Sequence, residues 1–171
     1  MEIPTRPTSF VGMFHELSES ISAAATDPAE WPEFLEKLAS AEGANSIGLH
    51  WESMDPLRRG SIALKHGLAT TFTREYEQYY GPRNPIIAGA AGLIVPGRAV
   101  FRQEACSERR FLASEFYNDF LKPNDILHIL GGTIDQRGKD ICMSSICRPH
   151  DGPLFGRTEA QLLEALIPHM W

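Results

Sequence analysis

Residues 114–125, SEFYNDFLKPND, decide how this sequence reads. With Phe111 and Leu112 just upstream, Phe116, Phe120 and Leu121 recur at helical spacing while Glu115, Asn118 and Asp119 fill the polar side. The segment therefore predicts a short aromatic helix with one face built for burial. Pro123 is expected to end it, because the residue before a proline is pushed out of the α region. Residues 126–134, ILHILGGTI, follow as an almost continuous apolar run that suits a strand covered on both faces. A helix running into such a strand is a packed connector of an α/β domain.

Working outward, residues 140–148 read as a second long strand, joined to the first by Asp135-Gln136-Arg137-Gly138, where Gly138 can take the left-handed turn conformation. Residues 97–101 read as a short central strand. From 45 to 66 the period is two: Ile47, Leu49 and Trp51, then Ile62, Leu64 and His66 beyond an Asp55-Pro56 turn, predict a hairpin. Residues 70–80 are a helical middle section, broken at Gly81-Pro82 and Asn84-Pro85 and resumed over 86–91. Residues 9–25 read as a first helix with Phe10, Phe14, Leu17 and Ile21 on one stripe. Asp27, Pro28 and Glu30 resemble an acidic capping box for a second, with Trp31, Phe34, Leu35 and Leu38 inward and Gly43 closing it. Thr158 and Gln161 are expected to cap a last helix carrying Leu162, Leu163, Leu166, Ile167 and Met170. The order α-α-β-β-α-α-β-α-β-β-α predicts one α/β (α+β) domain over residues 1–171, an antiparallel sheet of about five strands sandwiched by helices.

The bulk numbers bound the function. With 43% hydrophobic and 22% charged residues, the chain is an ordinary globule with enough length for one core. A net charge of −6 from 16 basic and 22 acidic residues, with the basic ones scattered or merely paired as Arg58/Arg59 and Arg109/Arg110, argues against a nucleic-acid surface. Cys106, Cys142 and Cys147 form no metal-like pattern, and the N-terminus has no apolar signal segment, so a reducing cytoplasm is expected. No apolar run approaches the roughly 18 residues that cross a bilayer, so no membrane association is expected.

Few motifs carry chemistry. His15-Glu16 lacks the second histidine of a zinc-protease helix, since position 19 is Glu. His128, on the apolar strand, is a conceivable haem ligand or a histidine bonded to the backbone. Gly131-Gly132 lies inside a strand run and reads as a bulge or a close backbone approach. Cys142 and Cys147, five apart on one strand, should face opposite ways. Cys106, near Arg109 and Arg110, has a setting that can activate a thiol. No titratable cluster has catalytic spacing, so a non-enzymatic protein without a cofactor is expected. The strongest constellation is aromatic: Phe72, Tyr76 and Tyr80 share one helix face at four-residue spacing, with Asn84-Pro85 at the next turn. Such a face lines either a core or a pocket, and tyrosines ending at an amide suit an amphipathic small molecule.

With those residues in view, the chain resembles the N-terminal regulatory domain of LuxR-type transcriptional regulators, a GAF/PAS-like sandwich. The resemblance spans nearly the whole chain and rests on Asp27-Pro28 with Trp31 and Phe34-Leu35, on Tyr79-Tyr80 followed by Asn84-Pro85, on residues 114–123, and on Leu166-Ile167-Pro168-His169. It implies a small-molecule effector held by Phe72, Tyr76, Tyr80, Asn84 and Trp51. In the autoinducer-binding branch a Trp, a Tyr four residues on and an Asp-Pro line the acyl-homoserine-lactone pocket, and Phe72, Tyr76 and Asn84-Pro85 look similar. Phe72 has no indole N–H and Asn84 no carboxylate, departures that point to another apolar or amphipathic ligand. The resemblance further implies a homodimer, for which Leu163, Leu166, Ile167 and Met170 would offer an exposed stripe. DNA binding is expected only through a helix-turn-helix domain beyond Trp171. The alternatives are a structural dimerisation module with no ligand and a haem- or redox-responsive sensor.

Overall fold

The computed structural model describes residues 9–170 apart from Pro56 and Arg59. The expected Asp55-Pro56 turn, the Arg58/Arg59 pair and the Trp171 end each include a residue outside that set. Ser9 caps helix α1 (Phe10–Thr26) by accepting from the Gly12 N–H at 3.1 Å. Asp27 caps a 3₁₀ turn, Pro28–Glu30, rather than the second helix directly, its Oδ1 accepting from the Ala29 N–H at 3.0 Å. Helix α2 (Trp31–Glu42) then runs to Gly43, whose φ of 59° gives the left-handed stop that glycine permits.

Strands β1 (Ser46–Ser53) and β2 (Ser61–His66) form the predicted hairpin. Strand β3 (Ala99–Phe101) is followed by β4 (His128–Arg137) and β5 (Asp140–Arg148), which pair antiparallel around Gly138, left-handed at φ 63°. The five strands lie in the order β2-β1-β5-β4-β3. The short strand expected in the centre is therefore an edge. Three residues pairing with β4 alone cannot hold the middle of a sheet, and the long β5 takes that place.

One face of the sheet packs on α1, α2 and α7 (Arg157–Leu166). Ile47, Leu49, Leu130, Ile134 and Ile146 project into that core and meet Leu17, Ile21, Phe34, Leu35, Leu38, Leu162, Leu163 and Leu166. Gly132 lets α7 approach: a Cβ there would lie 2.8 Å from Ser144 Oγ and 2.9 Å from Leu163 Cδ2. Helix α7 is capped by Glu159, whose Oε2 accepts from the Gly156 N–H at 2.9 Å, two residues earlier than the expected Thr158–Gln161 pair. The stripe expected to be exposed for a second copy is consumed inside the chain, since Leu163, Leu166 and Ile167 are buried against the sheet.

The other face is covered by short helical pieces. These are α3 (Thr70–Glu75), α4 (Pro85–Gly89), α5 (Arg102–Ala105) and α6 (Glu108–Leu112), with two wide π-helical turns, Tyr76–Tyr80 and Phe116–Leu121. Each π turn runs into a 3₁₀ turn containing a proline, Pro82 or Pro123. Proline has no N–H and its ring crowds the preceding turn, so the helix widens ahead of it; Gly81 and Lys122 each bond five residues back, to Tyr76 and Tyr117. Pro123 does not stop the segment as expected. Lys122 stays in the α region, and the reversal comes at Asp125, left-handed at φ 54°. That conformation is held from both sides: the Asp125 carbonyl accepts from Asn45 Nδ2 at 3.0 Å and its carboxylate from the His150 N–H at 3.2 Å.

Candidate functional site

Period-two alternation sends Gly48, His50, Met143, Ser145, Cys147, Ile129, Gly131 and Thr133 to the face under the short helices. Between them and the helical cover lies a cavity of about 100 Å³, several times what one water molecule needs. Its walls are mostly apolar: Ile62, Leu68, Ile86, Ile87, Phe116, Phe120 and Ile126 line it. The roof is an aromatic stack in which Phe120 lies between Phe72, centroids 4.3 Å apart, and Tyr80, 4.4 Å apart.

Of the five residues named from sequence, three line this cavity. Phe72 and Tyr76 enter from the middle helix and Asn84 from the start of α4. Asn84 is also the cap of α4, its Oδ1 accepting from the Ile86 N–H at 2.9 Å. Tyr80 does not reach the wall. The π turn between it and Tyr76 breaks the four-residue phase, and Tyr80 stacks on the far side of Phe120. Trp51 stands on the opposite face of the sheet, half-exposed, because it alternates with His50 and shares a face with Ile47 and Leu49. It belongs to a separate polar surface depression with Arg58 and Asp140.

The polar end of the cavity is a chain of hydrogen bonds. Asn84 Nδ2 donates to the Tyr76 hydroxyl at 3.4 Å, and that hydroxyl donates to Glu52 Oε1. The same oxygen meets His50 Nδ1 at 2.8 Å, while His50 Nε2 meets Ser145 Oγ at 2.8 Å. An ionised carboxylate only accepts, so Nδ1 carries the proton and, in the neutral ring, Nε2 accepts from Ser145. Burial, the Glu52 charge and the bond to Glu52 push the Tyr76 phenol well above its ordinary range, so it stays protonated. These groups can orient a ligand by hydrogen bonds to hydroxyl and amide. Burial likewise drives the Cys147 thiol to about 12, leaving it a plain wall residue.

Sequence reasoning missed His50, Glu52 and Ser145, and also Arg102, a buried residue of the cavity wall. The signal for the first two was present: His50 and Glu52 are polar residues two apart in a strand, hence on one face, opposite the apolar Ile47 and Leu49. His128, considered for haem, sits on the other side of β4, in phase with Leu130 rather than with the cavity residues Ile129 and Gly131. Cys106 is buried with Phe111 and Phe116 instead of standing open beside arginines. Cys142 and Cys147 do face opposite ways, one to each core. Among the described residues, no group of three or more His, Cys, Asp or Glu side chains could hold a metal ion, and no helix is long and apolar enough to cross a membrane.

No protein-family model and no curated protein sequence matches the chain. Solved structures do. The LBD domain of VqsR from Pseudomonas aeruginosa superposes with a TM-score of 0.71 at 15% identity, covering 92% of this chain and 91% of that one. The N-acylhomoserine lactone dependent LuxR family transcription factor CepR2 from Burkholderia cenocepacia gives 0.64 at 17% identity, covering 94% of each. The GAF domain of a phosphoenolpyruvate-protein phosphotransferase from Coxiella burnetii gives 0.62 at 15% identity, covering 94% and 89%. The chain therefore has the GAF-like α+β fold that LuxR-type ligand-binding domains share.

Proposed function

We propose that the chain is a non-enzymatic sensory domain of a LuxR-type regulator, which binds a small apolar or amphipathic molecule between the sheet and the helices over it. The observation that carries this reading is the cavity itself: apolar walls around a few convergent polar groups, His50, Tyr76, Asn84 and Ser145. The fold shared with ligand-binding domains supports it. The cover is built from short helices and π turns rather than long helices, so fewer regular backbone hydrogen bonds hold it than hold the helices of the other face. Occupancy shifts the domain between two states only by binding them unequally, and the cover is the part able to differ between them. The net negative charge speaks against DNA contact by this domain itself, and in this reading that contact belongs to an attached domain.

The test is native mass spectrometry of the purified protein beside its denatured mass, with melting curves across a panel of lipophilic metabolites. A releasable added mass, or a rise in melting temperature with one member of the panel, is expected. No added mass and no stabilisation by any compound would overturn the reading in favour of a structural module with a filled core.

A further inference from the structure

Arg102 is the one fully basic side chain that lines the cavity, and it is only 2% exposed. Its position follows from the edge strand: β3 ends at Phe101, opposite Leu130, and the chain turns at once into the four residues of α5. The side chain lies over the Phe111 ring, Cζ 4.2 Å from its centroid, and Nη2 donates to the Glu108 carboxylate, which is itself largely exposed. Nε and Nη1 are buried and find no acceptor among the described residues. Three of the five N–H bonds of the guanidinium are thus without a protein acceptor among the described residues, in a residue that lines the apolar cavity. A buried charge with open donors is costly to keep, and such sites are completed by an ion, water or ligand.

We propose that the effector of this cavity is a small lipophilic acid whose carboxylate is held by Arg102. This rests on the ligand-binding reading above and narrows it to a chemical class. The apolar walls fit the body of such a molecule, and a single guanidinium matches a monoanion better than a phosphate dianion, which calls for several cations. The Tyr76–Glu52–His50 chain is anchored on β1 through Glu52 and His50, three strands from β3, so it serves the other end of the molecule. Glu108 holds part of the fork, and a ligand carboxylate competes with it for the same charge.

The experiment is calorimetric titration of the whole chain with hexanoate, octanoate and phenylacetate, each beside its methyl ester. The acid of at least one pair is expected to bind about tenfold or more tightly than the ester, the worth of a charge-assisted hydrogen bond. Arg102→Gln should remove that preference while sparing ester binding, and Glu108→Gln, which frees the guanidinium, should strengthen acid binding severalfold. If Arg102→Gln fails to fold, Arg102→Lys and the acid-to-ester ratio of the natural chain still decide. Equal or reversed affinity of every acid and ester, or a preference that survives folded Arg102→Gln, overturns the assignment and leaves the cavity as a site for neutral ligands. Binding of neither series also overturns it, and the wider reading falls only if the metabolite panel and the native mass both fail.

Discussion

Tyr76 and Glu52, 24 positions apart in sequence, are joined in the interior by a hydrogen bond from the tyrosine hydroxyl to Oε1, the oxygen that also meets His50. The bond ties the middle helix to the C-terminal end of β1. Tyr76→Phe removes the donor and leaves a buried carboxylate under-bonded, so stability should fall by about 1–3 kcal/mol in urea unfolding. Tyr76→Ala also empties the space under Phe116 and Phe120 and should cost about 3–5 kcal/mol. If Tyr76→Phe is as stable as the natural protein, the network does not hold the cover down.

Phe120 is the middle ring of the aromatic stack and is 1% exposed, whereas Tyr80 beside it is partly open. Phe120→Ala should destabilise by about 3–5 kcal/mol and Tyr80→Ala by clearly less. A thermal melt of the two variants side by side checks this, and equal losses would mean that Tyr80 is as much core as Phe120.

Gly132 leaves no room for a methyl group between β4 and the last helix. Gly132→Ala should lower stability by about 1–3 kcal/mol through overpacking. Gly92, where an added Cβ meets nothing within 4 Å, is the control, and Gly92→Ala should be nearly neutral. Similar melting temperatures for the two variants would contradict the close approach of α7.

Glu42 is fully buried, and neither of its carboxylate oxygens has a hydrogen-bond partner among the described residues. Burial, aided by the charge of Glu159 and opposed by Arg148, raises it to about 8 from the ordinary 4.5. The folded state therefore holds a proton that the unfolded chain releases. The resulting stability is fully present below about pH 4.5 and is lost as pH climbs through about 8, by a few kcal/mol. The natural protein should lose melting temperature between pH 5 and 8.5 by more than Glu42→Gln does. Parallel pH profiles for the two proteins would sink this prediction.

Much of the architecture was legible because it rests on local periodicity. The stripe of α1, the left-handed stops at Gly43 and Gly138, the β1–β2 hairpin and the pairing of β4 with β5 all follow from patterns that a short window contains. The cavity wall was partly legible for the same reason: of the residues picked out by helical spacing, Phe72 and Tyr76 reach it, as does Asn84 at the next turn. Tyr80 and Trp51 were misplaced by one π turn and one step of strand alternation, shifts too small for residue type to register.

What the sequence by itself determined is the set of elements and their amphipathic faces, since helix and strand periods are properties of neighbouring residues. Only the tertiary structure decided which strand lies at the edge, that the last helix buries its apolar stripe within its own chain, and that Glu52 meets Tyr76 and His50, and His50 meets Ser145, while Arg102 lines the same cavity. Those facts depend on sheet order and on contacts between residues far apart in the chain, and one-dimensional spacing does not encode which distant faces will close on each other.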